Sequence, residues 1–337
     1  MELIIKPTQA CNFSCTFCSS NEIAESSKTT LDLQRIFDFL KRFPRTRSIV
    51  VNGGDPLMMK PEYYFAILEH VEKHGYPANL GLTTNLWSFY KNPAKWRDLF
   101  RHPRVGVITS FQYGSSRRVT PTQVFTVDLF LETSDLMLRE VGYRPDFISV
   151  MDEESAPYAL ENVRLAKKLD VECKLNAAMA SGRQGRHFSQ SEMYRIYHQV
   201  WKEGLAPWEF NTKQLLAKAQ DAQSLSCPRA RNCDEHIRAI NPEGDYYSCG
   251  SIADDREHAI EWDVEMGSLA VARPLSTDPE LQSLKPVCFS CEFFELCNGC
   301  RKTIRDIQRA DQVEAHCQGM QALKPELHEM GLGDPCA

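Results

Sequence analysis

Short apolar runs alternate with stretches of helical periodicity along the first two thirds of the chain. "LIIKP" (3–7), "SIVVNGG" (48–54), "NLGLTTN" (79–85), "VGVITSFQ" (105–112), "DFISVM" (146–151) and "ECKLNAA" (172–178) each read as a strand. Between them apolar residues recur every three to four positions. Over 30–43, Leu33, Ile36, Phe37 and Leu40 fall at i, i+3, i+4 and i+7, and Thr30 is placed to cap the helix start. Further helices are expected over 61–74, 122–140, 155–168 and 190–203. Such a series predicts an α/β fold, a parallel sheet with helices outside it, curved into a partial (β/α)6 TIM-like barrel. Ligands of such sheets sit at the carboxyl ends of the strands.

Beyond residue 210 the alternation stops. "HIRAINPEGDYYSCGSI" (236–252) reads as a β-hairpin turning at Pro242–Asp245, and the later segments are loop-like and rich in cysteine. A boundary is expected near residue 215, with the partial barrel over 1–215 and a small cysteine-rich unit over 216–337. The 42% of hydrophobic and 25% of charged residues are those of a globular chain. A net charge of −6 provides no basic field for nucleic acid or an anionic membrane. No apolar run approaches the ~20 residues of a membrane span. Met1 leads straight into the first strand, leaving no room for a signal peptide, so a cytoplasmic location is expected.

Thirteen cysteines change the picture: three lie at 11–18, eight between 227 and 317, and Cys173 and Cys336 stand apart. Without an export signal, clustered thiols point to metal or redox chemistry rather than disulfides. The first group, "ACNFSCTFCSS" (10–20), follows strand one and so belongs at the functional rim. Its Cys11-x3-Cys15-x2-Cys18 spacing lets one loop wrap three corners of a 4Fe–4S cube, leaving the fourth iron without a protein ligand. Zinc with a distant fourth ligand is the alternative.

This spacing, after the first strand of a partial barrel, resembles the signature of the radical S-adenosylmethionine (SAM) enzymes. The resemblance implies that SAM chelates the open iron through its amino and carboxylate groups, and that Phe17 packs near the adenine. "NGGDP" (52–56) is similar to the family's Gly-Gly-Glu-Pro element, which receives the methionine amino group; here Gly53, Gly54 and Pro56 match, and Asp55 stands where Glu is usual. Glycines let backbone carbonyls approach such a ligand closely. By the same resemblance Ser110 and Gln112 would bond the SAM ribose, Arg118 would pair with the SAM carboxylate, and Leu175 would pack on the adenine. Thr84 and Asn85 occupy the rim after strand three and would line the substrate or cofactor side.

The downstream cysteines read Cys227-x5-Cys233-x10-Gly244-x4-Cys249, then Cys288-x2-Cys291-x5-Cys297-x2-Cys300-x16-Cys317. Eight thiolates are the count for two fully ligated 4Fe–4S clusters, although paired Cys-x2-Cys units also suit zinc. The order of spacings resembles the SPASM extension of radical SAM enzymes, with one residue fewer than usual before Cys300. That resemblance assigns Cys227, Cys233, Cys249 and Cys300 to a first auxiliary cluster and Cys288, Cys291, Cys297 and Cys317 to a second, making three clusters in all.

The family's chemistry implies a low-potential reductant such as flavodoxin or ferredoxin as partner. Electron transfer to the SAM sulfonium then yields methionine and a 5′-deoxyadenosyl radical, which takes a hydrogen from the substrate. SPASM enzymes mostly modify peptide or protein side chains, which makes a peptide the expected substrate. Gly250 stands where sulfatase-maturing members carry an aspartate, which argues against that activity. No winged-helix leader-binding domain is expected before strand one, so either a separate recognition protein presents the peptide or the substrate is not a leader-bearing peptide. The alternative substrate is a small molecule or an amino-acid adduct on a nucleic acid base, to which the basic "SSRRV" (115–119) and "SGRQGRH" (181–187) loops would offer phosphate contacts. A redox scaffold without catalysis leaves the open iron unused. Cys173 reads as a core thiol, Trp208 and Phe210 as core packing near the junction, and Cys336 has no assigned role.

Overall fold

The computed structural model describes residues 1–20, 28–185, 187–219, 233–257, 259–260, 290–297 and 300–333. The six expected strands are present: β1 (Glu2–Ile5), β2 (Ser48–Val51), β3 (Asn79–Thr83), β4 (Val105–Ser110), β7 (Asp146–Met151) and β8 (Cys173–Ala177). They run parallel in the order β1-β2-β3-β4-β7-β8. Strand β9 (Ile237–Ile240) extends this sheet beyond β1, pairing with it in parallel from Glu2↔Ile237 to Ile5↔Ile240. Strand β10 (Tyr246–Tyr247) returns antiparallel to β9 and forms the far edge. The expected hairpin therefore exists, and its first strand is part of the main sheet. Among the described residues β8 and β10 are the two edges, so the barrel is open.

Helices cover the sheet: α1 (Leu33–Arg42), α2 (Pro61–Lys73), α3 (Trp87–Lys91), α4 (Pro93–Phe100), α5 (Val127–Val141), α6 (Ala159–Leu169), α7 (Gln190–Lys202) and α8 (Phe210–Ala219). Helix α1 starts at Leu33, not Thr30, because the Asp32 side chain caps it by accepting from Gln34 N; Thr30 instead bridges to Thr8. The stretch expected as helix from 122 begins with a small hairpin, β5 (Arg118–Thr120) and β6 (Gln123–Val124). Thr126 then caps α5 by accepting from Leu129 N. The boundary expected near 215 falls inside α8. Beyond it come α9 (Cys233–His236), α10 (Gly250–Asp255), α11 (Phe294–Cys297), α12 (Arg301–Arg309), α13 (Val313–Ala322) and α14 (Lys324–Glu329). The last four replace the loops expected there.

Two cores result. Leu3, Ile5, Ile49, Val51, Leu80 and Leu82 pack under α1, α2 and α4. Phe147, Met151, Cys173 and Leu175 pack with α6, α7 and, from the C-terminal segment, Met320, Leu323 and Leu327. Phe13, Cys15 and Phe17 join this second core, so the loop after β1 is built on it. Cys173 is fully buried with its sulfur 3.5 Å from Ser149 Oγ, as a core thiol should be. Trp208 and Phe210 lie under Lys167 and Lys174, with the ammonium groups 4.5 and 4.6 Å from the ring centres. No described helix is long and apolar enough to cross a membrane.

Candidate active site

The loop after β1 carries Cys11, Cys15 and Cys18, and "NGGDP" after β2 is pressed against it. Gly54 N donates to Thr8 O at 3.0 Å and Asp55 N to Ala10 O at 2.8 Å. A Cβ on Gly54 would lie 2.1 Å from Ala10 O, and one on Gly53, whose φ is +111°, 2.6 Å from Thr8 O. Both glycines are thus required by the approach of the two loops, whatever ligand carbonyls of the turn also meet. On its other flank the cysteine loop pairs with the β5 segment: Ser14 N donates to Arg118 O at 2.8 Å and Thr16 N to Ser116 O at 3.0 Å.

Burial, with the nearby Asp55 carboxylate and the other two thiols, pushes Cys11 up to about 12. Burial and the charge of Cys15 and Asp254 likewise push Cys18 up to about 11. Three soft donors that repel one another as anions fit a cationic iron–sulfur cluster, which would hold them as thiolates. Among the described residues no three His, Cys, Asp or Glu side chains converge on a point where one metal ion would sit.

Asp55 is 2% exposed, and its carboxylate is fully engaged. It accepts from Leu57 N at 2.8 Å, Thr84 Oγ1 at 2.9 Å and Asn85 N at 2.8 Å. Burial raises this group, and the same three donors pull it back. The carboxylate therefore ties the end of β2 to the end of β3, and Pro56 behind it opens a 3-10 turn.

Arg118, the expected carboxylate partner, spends its guanidinium on Ser115 O and Pro121 O, at 2.9 and 2.8 Å. Its neighbour Arg117 is the buried one. Arg117 donates to Ser110 Oγ at 2.8 Å and Gln112 Oε1 at 3.0 Å, and lies over the Phe17 ring 5.1 Å from its centre. Burial pulls this guanidinium down, while Cys15, Cys18, Cys11 and Asp152 draw it up, and its own charge pulls Cys18 down. Adjacent residues of an extended segment point to opposite faces, and "SSRRV" alone could not say which arginine turns inward. Ser110, Gln112 and Phe17 are thus gathered around the trio, through Arg117. Gln112 is itself buried, accepting from Val150 N at 3.2 Å and donating to Ser116 Oγ at 3.2 Å. Leu175 is fully buried in the same core as Cys15 and Phe17.

A residue set that the sequence reading missed ties the C-terminal segment to this loop. Lys6, 2% exposed at the end of β1, pairs with Asp254 of α10 and donates to Gly250 O at 2.7 Å. Asp254 also accepts from Ser19 Oγ at 3.0 Å and Ser20 Oγ at 2.8 Å, directly after Cys18. Next to it, Asp255 accepts from Ser181 Oγ at 2.5 Å, after β8, and from Lys302 Nζ at 2.8 Å. Helix α10 thereby spans from the loop after β1 to the loop after β8. Gly182 lets those two loops touch, since a Cβ there would lie 2.5 Å from Ser19 O.

Of the expected auxiliary ligands, Cys227 and Cys288 lie outside the described residues. Cys249 and Cys300 stand at the N-caps of α10 and α12, and Cys233 begins α9. Cys291 accepts from Gln321 Nε2 at 3.4 Å, Cys297 ends α11, and Cys317 is exposed on α13.

With this geometry in hand, comparison with known proteins is decisive for the barrel. The Radical SAM superfamily pattern matches residues 5–187, more than half of the chain. The chain belongs to the radical SAM superfamily. As a radical SAM enzyme it shares its fold over nearly its whole length with anSMEcpe bound to AdoMet, at 16% identity, TM-score 0.74 and 98% coverage of both chains. The same protein with AdoMet and the Cp18Cys peptide aligns at 14% identity and TM-score 0.70, again covering 98% of each chain. Streptococcus suis SuiB bound to the precursor peptide SuiA aligns at 14% identity and TM-score 0.60, covering 88% of this chain and 70% of that one. The two anSMEcpe alignments cover 98% of this chain, so the shared fold extends past the family-matched residues 5–187. No curated protein matches significantly.

Proposed function

We propose that this radical SAM enzyme modifies a peptide or protein side chain, with residues 1–215 as the SAM-cleaving part and 216–337 as an auxiliary part carrying two further clusters. The observation that carries the SAM reading is the trio of thiols on one loop, Cys15 buried and Cys11 and Cys18 half-buried, with the buried Arg117 guanidinium drawn up by their charge, inside the family-matched region. The peptide reading is supported by the fold shared with two proteins whose structures contain a bound peptide.

Cys11, Cys15 and Cys18 would hold the first 4Fe–4S cluster. When bound, it supplies the electron that cleaves SAM to methionine and a 5′-deoxyadenosyl radical able to take a substrate hydrogen. Arg117, held by Ser110 and Gln112 neutral acceptors, keeps a charge that a SAM carboxylate would answer in place of the expected Arg118. The Asp55 oxygens already hold Thr84 and Asn85, so the methionine ammonium would fall to backbone carbonyls of the glycine turn. Phe13, Phe17 and Leu175 wall the site with apolar surface and exclude water.

Cys15→Ala is expected to abolish 5′-deoxyadenosine release in the presence of SAM and reductant, measured chromatographically. The unmodified chain, reconstituted without oxygen, should bind about twelve irons, four for each cluster; about four irons plus zinc would remove the auxiliary clusters from the proposal. A synthetic peptide library screened for mass changes dependent on SAM tests the substrate class. Arg117→Ala should weaken SAM binding about thirtyfold, the scale of a charged hydrogen bond, and Arg118→Ala should leave it within about twofold. A larger loss in Arg118→Ala than in Arg117→Ala would return the role to Arg118, and equal losses would overturn its assignment to Arg117 alone.

A further inference from the structure

Resting on the reading that Cys11, Cys15 and Cys18 hold the SAM-binding cluster, we propose that Asn85 is a positioning residue that sets the reduction potential of that cluster through an N–H···S hydrogen bond to Cys11.

The Asn85 carboxamide is fixed from every side. Its Oδ1 accepts from Trp87 N at 2.9 Å, which identifies the other end as the NH2 group. That group donates to Asn12 Oδ1 at 2.7 Å and to Cys11 Sγ at 3.9 Å. The backbone beneath it is held by Asp55, which accepts from Asn85 N at 2.8 Å, and Leu86 follows in the left-handed region at φ 59°. A leucine in that conformation is strained, and the surrounding bonds hold it there. Asn12 is anchored in turn, donating to Ser88 Oγ at 3.2 Å. Asn85 is 6% exposed, so bulk water does not compete strongly for these bonds.

Cys11 therefore accepts two N–H groups, from Asn85 and from Phe13 N at 3.4 Å. Cys15 is placed differently, its sulfur 4.0 Å from a carbonyl oxygen, Arg118 O. An N–H dipole aimed at a thiolate sulfur stabilises the more negative state of the cluster. When the cluster gains one electron from a low-potential donor, no bond at Asn85 breaks; its hydrogen bond simply strengthens. The shortening from Glu to Asp in "NGGDP" then has a purpose, since Asp55 reaches Thr84 and Asn85 and holds the donor on its target.

The test is a redox titration of the reconstituted full chain, followed through the component of the reduced EPR spectrum that changes when SAM is added. Asn85→Ala should lower the reduced-to-oxidised ratio at a fixed potential about tenfold, or about 59 mV for one electron. Asn85→Asp keeps the size and the contact to Trp87 but removes the donor and adds a negative charge, so its shift should be larger in the same direction. Labelling asparagine with 15N should replace a 14N hyperfine coupling on that component by a 15N coupling, and the contribution of Asn85 should be missing from Asn85→Asp, which keeps Asn12. A SAM-sensitive signal that lacks the coupling and has an unshifted midpoint in the variants overturns this proposal alone. Absence of any SAM-sensitive signal from the unmodified chain overturns it together with the cluster reading.

Discussion

A Gly54→Ala chain is expected to lose the first cluster and about 2–3 kcal/mol of stability. Its new methyl carbon would stand 2.1 Å from Ala10 O and 2.5 Å from Gln9 O, both backbone atoms that no rotamer change can move aside. Relief requires parting the two loops, which breaks the bonds from Gly54 N to Thr8 O and from Asp55 N to Ala10 O. Cys11 lies next to Ala10, so its thiol would be displaced with the loop. Iron content, SAM-dependent cleavage and the thermal midpoint should all fall. Gly81→Ala is the control, because its Cβ would meet nothing within 4 Å on strand β3. Near-normal iron in the Gly54→Ala chain would show that the loops can part without cost to the site.

The second large effect is expected at Asp254. Asp254→Ala leaves the Lys6 ammonium buried without its carboxylate, with side chains that are 3% and 12% exposed in the intact pair. Removing one partner of such a pair costs about 3–5 kcal/mol. The double variant Lys6→Met, Asp254→Ala should recover much of that loss, since it strands no charge. Ser19 and Ser20 lose an acceptor in both variants, so iron should leave the first site faster to a chelator in each. Thermal unfolding separates the two consequences: stability should rise in the double variant while iron lability persists. Full retention of iron in both would mean that α10 does not brace the loop.

The strands were legible because their apolar faces repeat with period two and their ends carry Gly, Pro or Asn, as at "VVNGGDP" and "LTTNL". The cysteine trio was legible because ligand chemistry demands close spacing in one loop. Arg117 was not, since facing depends on the register of the short β5–β6 hairpin, and a slip of one residue exchanges it with Arg118. Lys6 and Asp254 are separated by 248 positions, and nothing local marks either as paired. The terminal helices escaped because α12, "RKTIRDIQR", carries charge on most positions, and its Lys302 and Arg305 are buried against Asp255 and Asp306. Asp55 lies beside the cysteine loop, but what its oxygens bind emerges from residues 84 and 85, just after another strand.

Strand β1 lies between β2 and β9, so one of its edges waits for residues made some 235 positions later. At a synthesis rate of about 5–20 residues per second, that is a delay on the order of ten to fifty seconds. Throughout that interval Lys6 lacks its carboxylate and the loop bearing Cys11, Cys15 and Cys18 lacks its brace. Cluster insertion on the ribosome would meet an unfinished site, and a chain cut short before residue 237 would expose a bare strand edge next to three thiols. Iron loading should therefore follow release of the completed chain.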